Sequence, residues 1–183
     1  SGQREQLHRV YSAVTRWVTY LTVLGLAFVL VYTEELLLIF GTAVPSAQTA
    51  LTILAVGQTI NAIVGPTGYL LVMTGYERLQ LVNNIMTAIL NLILNVVLIQ
   101  KYGIVGAAVA TAFSLTLVNL IRFAEVQYLF GMQPYSRTYW KGGVAIGGAL
   151  LMLLFGQLLP IAGLLQMLVA GMLAFVIFAI LLW

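Results

Sequence analysis

The chain has 183 residues, of which 62% are hydrophobic and only 7% are charged, whereas a soluble globular chain carries about 25% charged residues. Its formal net charge of +3 comes from basic residues spread thinly between apolar runs, which excludes the basic patch of a nucleic-acid-binding protein. Because the chain has no cysteine, no aspartate and a single histidine, the usual metal ligands, paired acids and histidine-assisted nucleophiles are missing, and we expect no enzyme, cofactor or metal site.

Apolar runs long enough to cross a bilayer recur along the whole chain. A hydrocarbon core about 30 Å thick needs about 20 apolar residues in a helix, and the runs are too long and continuous for a barrel. The sequence therefore predicts an all-α, polytopic transmembrane helix bundle of about six spans. It forms one domain, 1–183, with a polar cytoplasmic lead-in at 1–16. The predicted spans are 17–32, 48–74, 79–99, 104–130, 140–159 and, after a break at Pro160, 161–183.

The positions of the basic residues predict the orientation of these spans. Short cytoplasmic loops retain lysine and arginine. One side of the predicted topology carries Arg4, Arg9, Arg16, Arg78, Arg122, Arg137 and Lys141. The other side carries Lys101 together with Glu34 and Glu35. We therefore expect a multi-pass protein of the cell (plasma or inner) membrane with both termini in the cytoplasm.

The second predicted span contains residues that interrupt helices. Asn61 lies on a face that it shares with glycines, including Gly65 and Gly68. Pro66 removes a backbone donor in mid-span, so a kinked or broken helix is expected. Gly65 and Pro66 are hinge candidates. The alternative is that these residues serve close helix packing, as glycine commonly does in membranes.

Amide side chains recur in the third predicted span. Asn84, Asn91 and Asn95 fall at i, i+7 and i+11, so they project from one stripe of a helix. Two interpretations stay open. The amides form interhelical hydrogen bonds, each worth about 1 kcal/mol or less, or they line a hydrated cavity that offers donors and acceptors to sugar hydroxyls or phosphate.

The fourth span adds polar residues near its cytoplasmic end, and small residues elsewhere predict helix packing. Arg122 is expected to snorkel and pair with Glu125, and the alternative is contact with a substrate phosphate. In the fifth span Gly143 and Gly147 form a G-x-x-x-G pattern, which predicts close packing. The candidates for a substrate path are Asn61, Asn84, Asn91, Asn95, Asn119 and Arg122.

The stretch 51–137 carries a family resemblance. Its most informative parts are ILAVGQ at 53–58 followed by Gly65 and Pro66, the run 91–99, and YGIVGAAVAT at 102–111. These segments resemble the C-terminal part of polysaccharide flippases, the O-antigen and teichoic-acid exporters of the multidrug/oligosaccharidyl-lipid/polysaccharide superfamily. The first span is similar too, although a proline common after it in such proteins is replaced around Thr33.

The resemblance implies a MATE-like transporter of two similar helical lobes around a central cavity. Such a protein passes lipid-linked oligosaccharide across the cytoplasmic membrane by alternating access, for the biosynthesis of polysaccharides such as lipopolysaccharide. This chain would be a fragment, the C-terminal lobe, and its partners would be the lipid bilayer, the lipid-linked oligosaccharide and the missing N-terminal lobe. The alternatives are a fragment of a MATE-type drug or small-molecule exporter and a non-transporting membrane assembly subunit.

Overall fold

The computed structural model of the chain describes residues 2–41, 44–131, 139–158 and 163–182. All regular structure in these ranges is α-helical, which confirms the predicted all-α class. The helices are α1 (Gly2–Val31), α2 (Thr33–Ile39), α3 (Pro45–Val64), α4 (Thr67–Met73), α5 (Glu77–Phe130), α6 (Tyr139–Gly156) and α7 (Leu164–Leu182). The predicted break at Pro160 lies outside the described residues.

Long apolar helices make the chain a multi-pass membrane protein. Within the described ranges, the segments that are long and apolar enough to cross a membrane are Arg9–Val31, Pro45–Val64, Glu77–Phe130 and Leu164–Leu182, and Gly142–Gly156 is a shorter apolar helix. Large apolar side chains cover the outside of the bundle, as Leu92 and Ile180 show with exposed fractions of 65% and 68%. The predicted lead-in is helical from Gly2 onwards, and the apolar segment of α1 begins at Arg9, earlier than position 17.

Helix α5 is a hairpin of two antiparallel arms. The chain reverses at Gly103, whose φ of 56° and ψ of −132° are readily adopted only by glycine. The first arm, 77–102, and the second arm, 104–130, then run side by side. At their open ends the Asn83 amide donates a hydrogen bond to a Glu125 carboxylate oxygen at 2.7 Å. The arms correspond to the predicted third and fourth spans.

Small residues allow close contacts within the hairpin and against α3. A Cβ atom on Gly106 would collide with the carbonyl oxygen of Leu98 in the first arm. A Cβ atom on Gly57 of α3 would lie 2.7 Å from the Cβ of Ala112 in the second arm. These positions therefore admit no larger side chain unless the helices move apart.

The second predicted span is broken as its sequence suggested. Only Gly65 and Pro66 separate α3 from α4, and Gly65 has a φ of 81°. Carbonyl groups left without helical partners at the break find other donors. The Gly65 amide donates to the Ala62 carbonyl at 3.1 Å, and the Tyr11 hydroxyl donates to the Val64 carbonyl at 3.2 Å. Helix α1 thus holds the broken end of α3.

Helix α1 joins two apolar cores. On one side Tyr20 and Ala27 pack with buried residues of α6 and α7, among them Ala149 and Phe178. On the other side Tyr11 packs with residues of α4 and the second arm of α5. One flank of α1 therefore packs against α4 and α5, and the opposite flank packs against α6 and α7.

Candidate functional site

An open cavity of about 770 Å³ lies between α1, α3, α4 and both arms of α5. The amide and charged side chains of its lining come from α3 and from the two arms of α5. These side chains are Gln58, Asn61, Gln80, Asn84, Asn119 and Arg122. The cavity also includes Gly65 and Pro66 at the helix break. Four predicted substrate-path residues and both hinge candidates are thus brought to one place.

Asn119 lies at the centre of the polar lining. It is only 3% exposed, and its amide nitrogen donates to the Asn61 side-chain oxygen at 2.6 Å and to the Leu115 carbonyl at 2.7 Å. Its own side-chain oxygen accepts a hydrogen bond from Arg122 Nη1 at 3.2 Å. Asn119 therefore connects α3 to the second arm and helps to orient the guanidinium group.

Arg122 also connects the two arms of α5. Its Nη2 donates to the Asn84 side-chain oxygen at 2.6 Å, and Gln80 Nε2 approaches the same oxygen at 3.4 Å. Within the described part of the chain, Arg122 Nε and Gln80 Oε1 are buried and have no hydrogen-bond partner. The network therefore includes a buried donor and a buried acceptor without partners among the described residues.

The charge of Glu125 acts on Arg122 as expected, but the hydrogen bonds that Arg122 makes within the described residues go to amides. Arg122 donates to Asn119 and Asn84, while the Glu125 carboxylate accepts from Asn83, which is 4% exposed. Arg122 and Glu125 are thus each bound by asparagine. This arrangement satisfies both charges in an apolar setting through hydrogen bonds with neutral amides.

The predicted asparagine stripe divides between two environments. Asn91 and Asn95 lie about 10 and about 16 Å beyond Asn84 along the first arm, at 1.5 Å per residue, and they do not line this cavity. Asn95 Nδ2 instead donates to the carbonyl oxygen of Asn91 at 2.8 Å and to its side-chain oxygen at 2.9 Å. Their bonds stay within one arm.

The charge of the cavity lining and the depth of the cavity in the membrane limit which ligands it can bind. Among its described lining residues, Arg122 carries the formal charge. It lies about 28 Å along the second arm from the turn at Gly103, close to the thickness of a hydrocarbon core, and therefore near one boundary of the membrane. No group of three or more His, Cys, Asp or Glu residues in the described chain could hold a metal ion. The cavity is suited to binding a polar, anionic group.

The sequence analysis missed two glutamines and the residues that support the break. Gln58 precedes Asn61 by three residues and donates no bond itself, but its side-chain oxygen accepts from Asn61 at 3.2 Å. Gln80 precedes Asn84 by four residues. Such i,i+3 and i,i+4 spacings place side chains on one helix face, so this signal was present in the sequence. Tyr11, which donates to the Val64 carbonyl, and Thr15, whose side chain lies beside Gly65, carried no comparable signal.

The chain was compared with known proteins. It is 32% identical over 161 residues to the protein named "Probable low-salt glycan biosynthesis flippase Agl15" of Haloferax volcanii. The chain is a distant homologue of a glycan biosynthesis flippase. The resemblance to the multidrug/oligosaccharidyl-lipid/polysaccharide superfamily is thus confirmed. No protein-family model matches the chain, and no solved structure matches it significantly.

The homology covers different shares of the two proteins. The aligned region accounts for 85% of this chain but only 33% of the flippase. The chain therefore spans about a third of the length of this curated relative, less than the half that a two-lobe protein suggested. The name of the relative describes it as a probable flippase.

Proposed function

We propose that this chain is the C-terminal lobe of a MATE-like, two-lobe transporter that flips lipid-linked oligosaccharide across the cytoplasmic membrane by alternating access. The observation that carries the proposal is the position of Arg122, held by Asn84 and Asn119 in a cavity beside the break between α3 and α4. The homology to a glycan biosynthesis flippase supports the substrate class. The product would enter polysaccharide biosynthesis, including O-antigen or lipopolysaccharide.

The chemistry of the lining fits the head of such a substrate. A guanidinium group binds phosphate through parallel hydrogen bonds, and amides offer donors and acceptors to sugar hydroxyls without adding charge. Because the Arg122 donors now bond to Asn84 and Asn119, an entering phosphate would replace the two amide oxygens. The released amides would then bind hydroxyl groups of the glycan.

The same lining argues against an exporter of apolar cationic drugs. Such a ligand favours aromatic faces, to which cations bind, and a cationic side chain repels it. Among the described lining residues, Tyr69 is the aromatic side chain, and the same lining contains Arg122 and several amides. A non-transporting assembly subunit would not require a polar cavity of this size.

The proposed topology has six spans, formed by α1, α3 with α4, the two arms of α5, α6 and α7. Both termini are cytoplasmic, so the open end of the α5 hairpin and the cavity lie near the cytoplasmic boundary. Gly65 and Pro66 act as a hinge, because the backbone there lacks continuous helical hydrogen bonds and α4 can tilt independently of α3. Such a motion would change access to the cavity.

Export by two asparagine variants tests this proposal. Asn84→Leu removes a hydrogen-bond acceptor of Arg122 in the cavity, whereas Asn91→Leu changes an asparagine of the same arm that does not line the cavity. A hydrogen bond to a charged group contributes about 1.5–3 kcal/mol, so we expect Asn84→Leu to reduce glycan export by the full-length protein about tenfold or more. Asn91→Leu should retain most export. Surface glycan is measured relative to the amount of protein in the membrane, and equal export by the two variants contradicts the proposed role of the cavity.

A further inference from the structure

Gln80 holds an unpaired hydrogen-bond acceptor at the edge of the polar cavity. Its side chain lines the cavity, and Gln80 Oε1 is buried without a partner among the described residues. A buried acceptor is unfavourable until a donor reaches it. Because the last torsion of a glutamine side chain is soft, a small rotation brings this oxygen to a ligand in the cavity. Gln80 is therefore a candidate for direct contact with a ligand.

The neighbours of Gln80 determine which end of its amide is unpaired. Arginine only donates hydrogen bonds, so the atom of Asn84 that Arg122 Nη2 contacts at 2.6 Å is the side-chain oxygen. The same oxygen lies 3.4 Å from the Gln80 amide, which places the Gln80 nitrogen at that contact. The Gln80 oxygen is consequently directed away from Asn84 and remains an acceptor.

Helix α4 packs directly against this amide. A Cβ atom on Gly68 would lie 2.8 Å from Gln80 Nε2 and 3.2 Å from Gln80 Oε1. Gly68 follows the break at Pro66 by two residues, and its missing side chain leaves the space that Gln80 fills. The amide is thus confined between α4 and the first arm of α5, which limits the directions from which a donor can approach.

Gln80 lies on the cytoplasmic side of the phosphate site in the proposed topology. It precedes Asn84 by four residues, about 6 Å along the first arm towards the open end of the hairpin. Arg122 contacts Asn84 across the hairpin. In a lipid-linked glycan of the cytoplasmic leaflet, the sugar lies on the cytoplasmic side of the phosphate. A phosphate at Arg122 therefore places the first sugar beside Gln80.

The donor closest to the phosphate in such a sugar is the group at position 2. This position adjoins the anomeric carbon that carries the phosphate, and it commonly bears a hydroxyl or an acetamido group. Both groups offer a hydrogen to an acceptor. A neutral amide oxygen suits this contact better than a carboxylate, because a carboxylate would repel the phosphate.

We infer that Gln80 determines specificity for the sugar attached to the phosphate, by accepting a hydrogen bond from the hydroxyl or acetamido N–H group at position 2. This inference rests on the proposed function and adds recognition of the sugar to the phosphate contact of Arg122. A sugar without a donor at position 2 leaves the buried oxygen unpaired and therefore binds more weakly.

Movement of paired substrates across vesicle membranes tests this role. The full-length protein is reconstituted in phosphatidylcholine vesicles with farnesyl-linked glucose, N-acetylglucosamine or 2-deoxyglucose, each made with one and with two phosphates. Radiolabelled probe that albumin no longer extracts has crossed the membrane. We expect the wild type to move the faster of the glucose and N-acetylglucosamine probes about two- to tenfold faster than the 2-deoxyglucose probe, the effect of one neutral hydrogen bond. The faster of the two shows whether the donor is a hydroxyl or an acetamido group.

Variants of two glutamines separate recognition from structure. Gln80→Met removes the amide at similar side-chain length and should abolish the preference, and Gln80→Ala should do the same if Gln80→Met folds poorly in thermal denaturation. Gln80→Glu keeps an acceptor oxygen and should keep the preference, while repulsion of the phosphate lowers every rate. Gln58→Met is the matched control, because Gln58 lines the same cavity but its oxygen already accepts from Asn61 at 3.2 Å. Its preference should equal that of the wild type.

Three outcomes overturn the inference. Equal movement of all three sugars by the wild type shows that position 2 is not recognised. A preference that persists in both Gln80→Met and Gln80→Ala assigns recognition to another residue, and its loss in Gln58→Met as well assigns it to the general shape of the cavity. In each case movement of the probes upholds the proposed function, whereas a wild-type protein that moves none of them refutes it.

Discussion

Asn119→Leu should destabilise the bundle through the polar network. Leucine has the same branched skeleton as asparagine, with two methyl groups in place of the amide oxygen and nitrogen, so the change removes the hydrogen bonds while the shape of the side chain is kept. The Asn61 side-chain oxygen loses its 2.6 Å donor from the second arm, and Arg122 Nη1 loses its acceptor at 3.2 Å. Arg122 keeps Asn84 as a partner at 2.6 Å, so the charge is not left without a hydrogen bond.

The magnitude follows from these contacts. An interhelical hydrogen bond in a membrane protein contributes about 0.6 kcal/mol on average and up to about 1.7 kcal/mol. The Asn61 bond is short and its donor, Asn119, is buried, so we place its loss near the upper value and add a few tenths for the longer contact to Arg122. The expected loss of unfolding free energy is about 1–2 kcal/mol, close to a tenfold change in the ratio of folded to unfolded protein.

Asn95→Leu provides the matched control, because it makes the same chemical change in the same hairpin. The hydrogen bonds of Asn95 go only to Asn91, four residues earlier in the same arm. Reversible unfolding of the full-length protein in mixed micelles, followed by circular dichroism, measures the free energies. We expect Asn95→Leu to change stability by less than about 0.5 kcal/mol. Equal losses in the two variants, or no loss with Asn119→Leu, would refute the assignment of interhelical stability to this network.

Three other predictions concern the helix break, the hairpin and the orientation. Gly65→Ala should lower the midpoint of thermal denaturation, because alanine at a φ of 81° is strained and its Cβ would meet α1; an unchanged midpoint would show that the break relaxes freely. Gly106→Leu should destabilise the hairpin by about 1–3 kcal/mol, while Gly143→Leu should not, because Gly143 is exposed and an added Cβ there meets nothing within 4 Å. Similar melting curves would be inconsistent with close contact between the arms. A cysteine replacing Gly41 should react with an impermeant thiol reagent added outside intact cells and one replacing Glu77 should not, and the reverse labelling would invert the proposed topology.

Much of the fold followed from local chemistry. Apolar runs of membrane length predicted the helices, and the missing amide of Pro66 together with Gly65 predicted the break between α3 and α4. Amide residues at Asn61, Asn84 and Asn119 were selected because lipid cannot satisfy them, and the structure brings them into one cavity. The sequence could indicate these residues because each feature depends on the properties of a single helix.

Contacts between helices were harder to predict. The spacing of Asn91 and Asn95 defines a helix face but not its neighbour, and these amides bond to each other. The G-x-x-x-G pattern predicted close packing at the wrong glycines of α6. A Cβ on Gly143 or Gly147 meets nothing within 4 Å, whereas one on Gly148 would lie 2.6 Å from a Leu181 methyl group. Adjacent glycines occupy different faces, and only the position of α7 decides which face is packed.

The reversal of α5 has a consequence for how the protein assembles in the membrane. Its arms are joined by Gly103 alone, so almost no loop entropy opposes their association. Asn83 and Glu125 meet across the open ends, 42 positions apart in the chain. Each of these two polar side chains therefore finds its partner in the other arm, which is the next or the preceding segment to be synthesised. We expect this pair of segments to become a stable unit in the bilayer before α6 and α7 have been made.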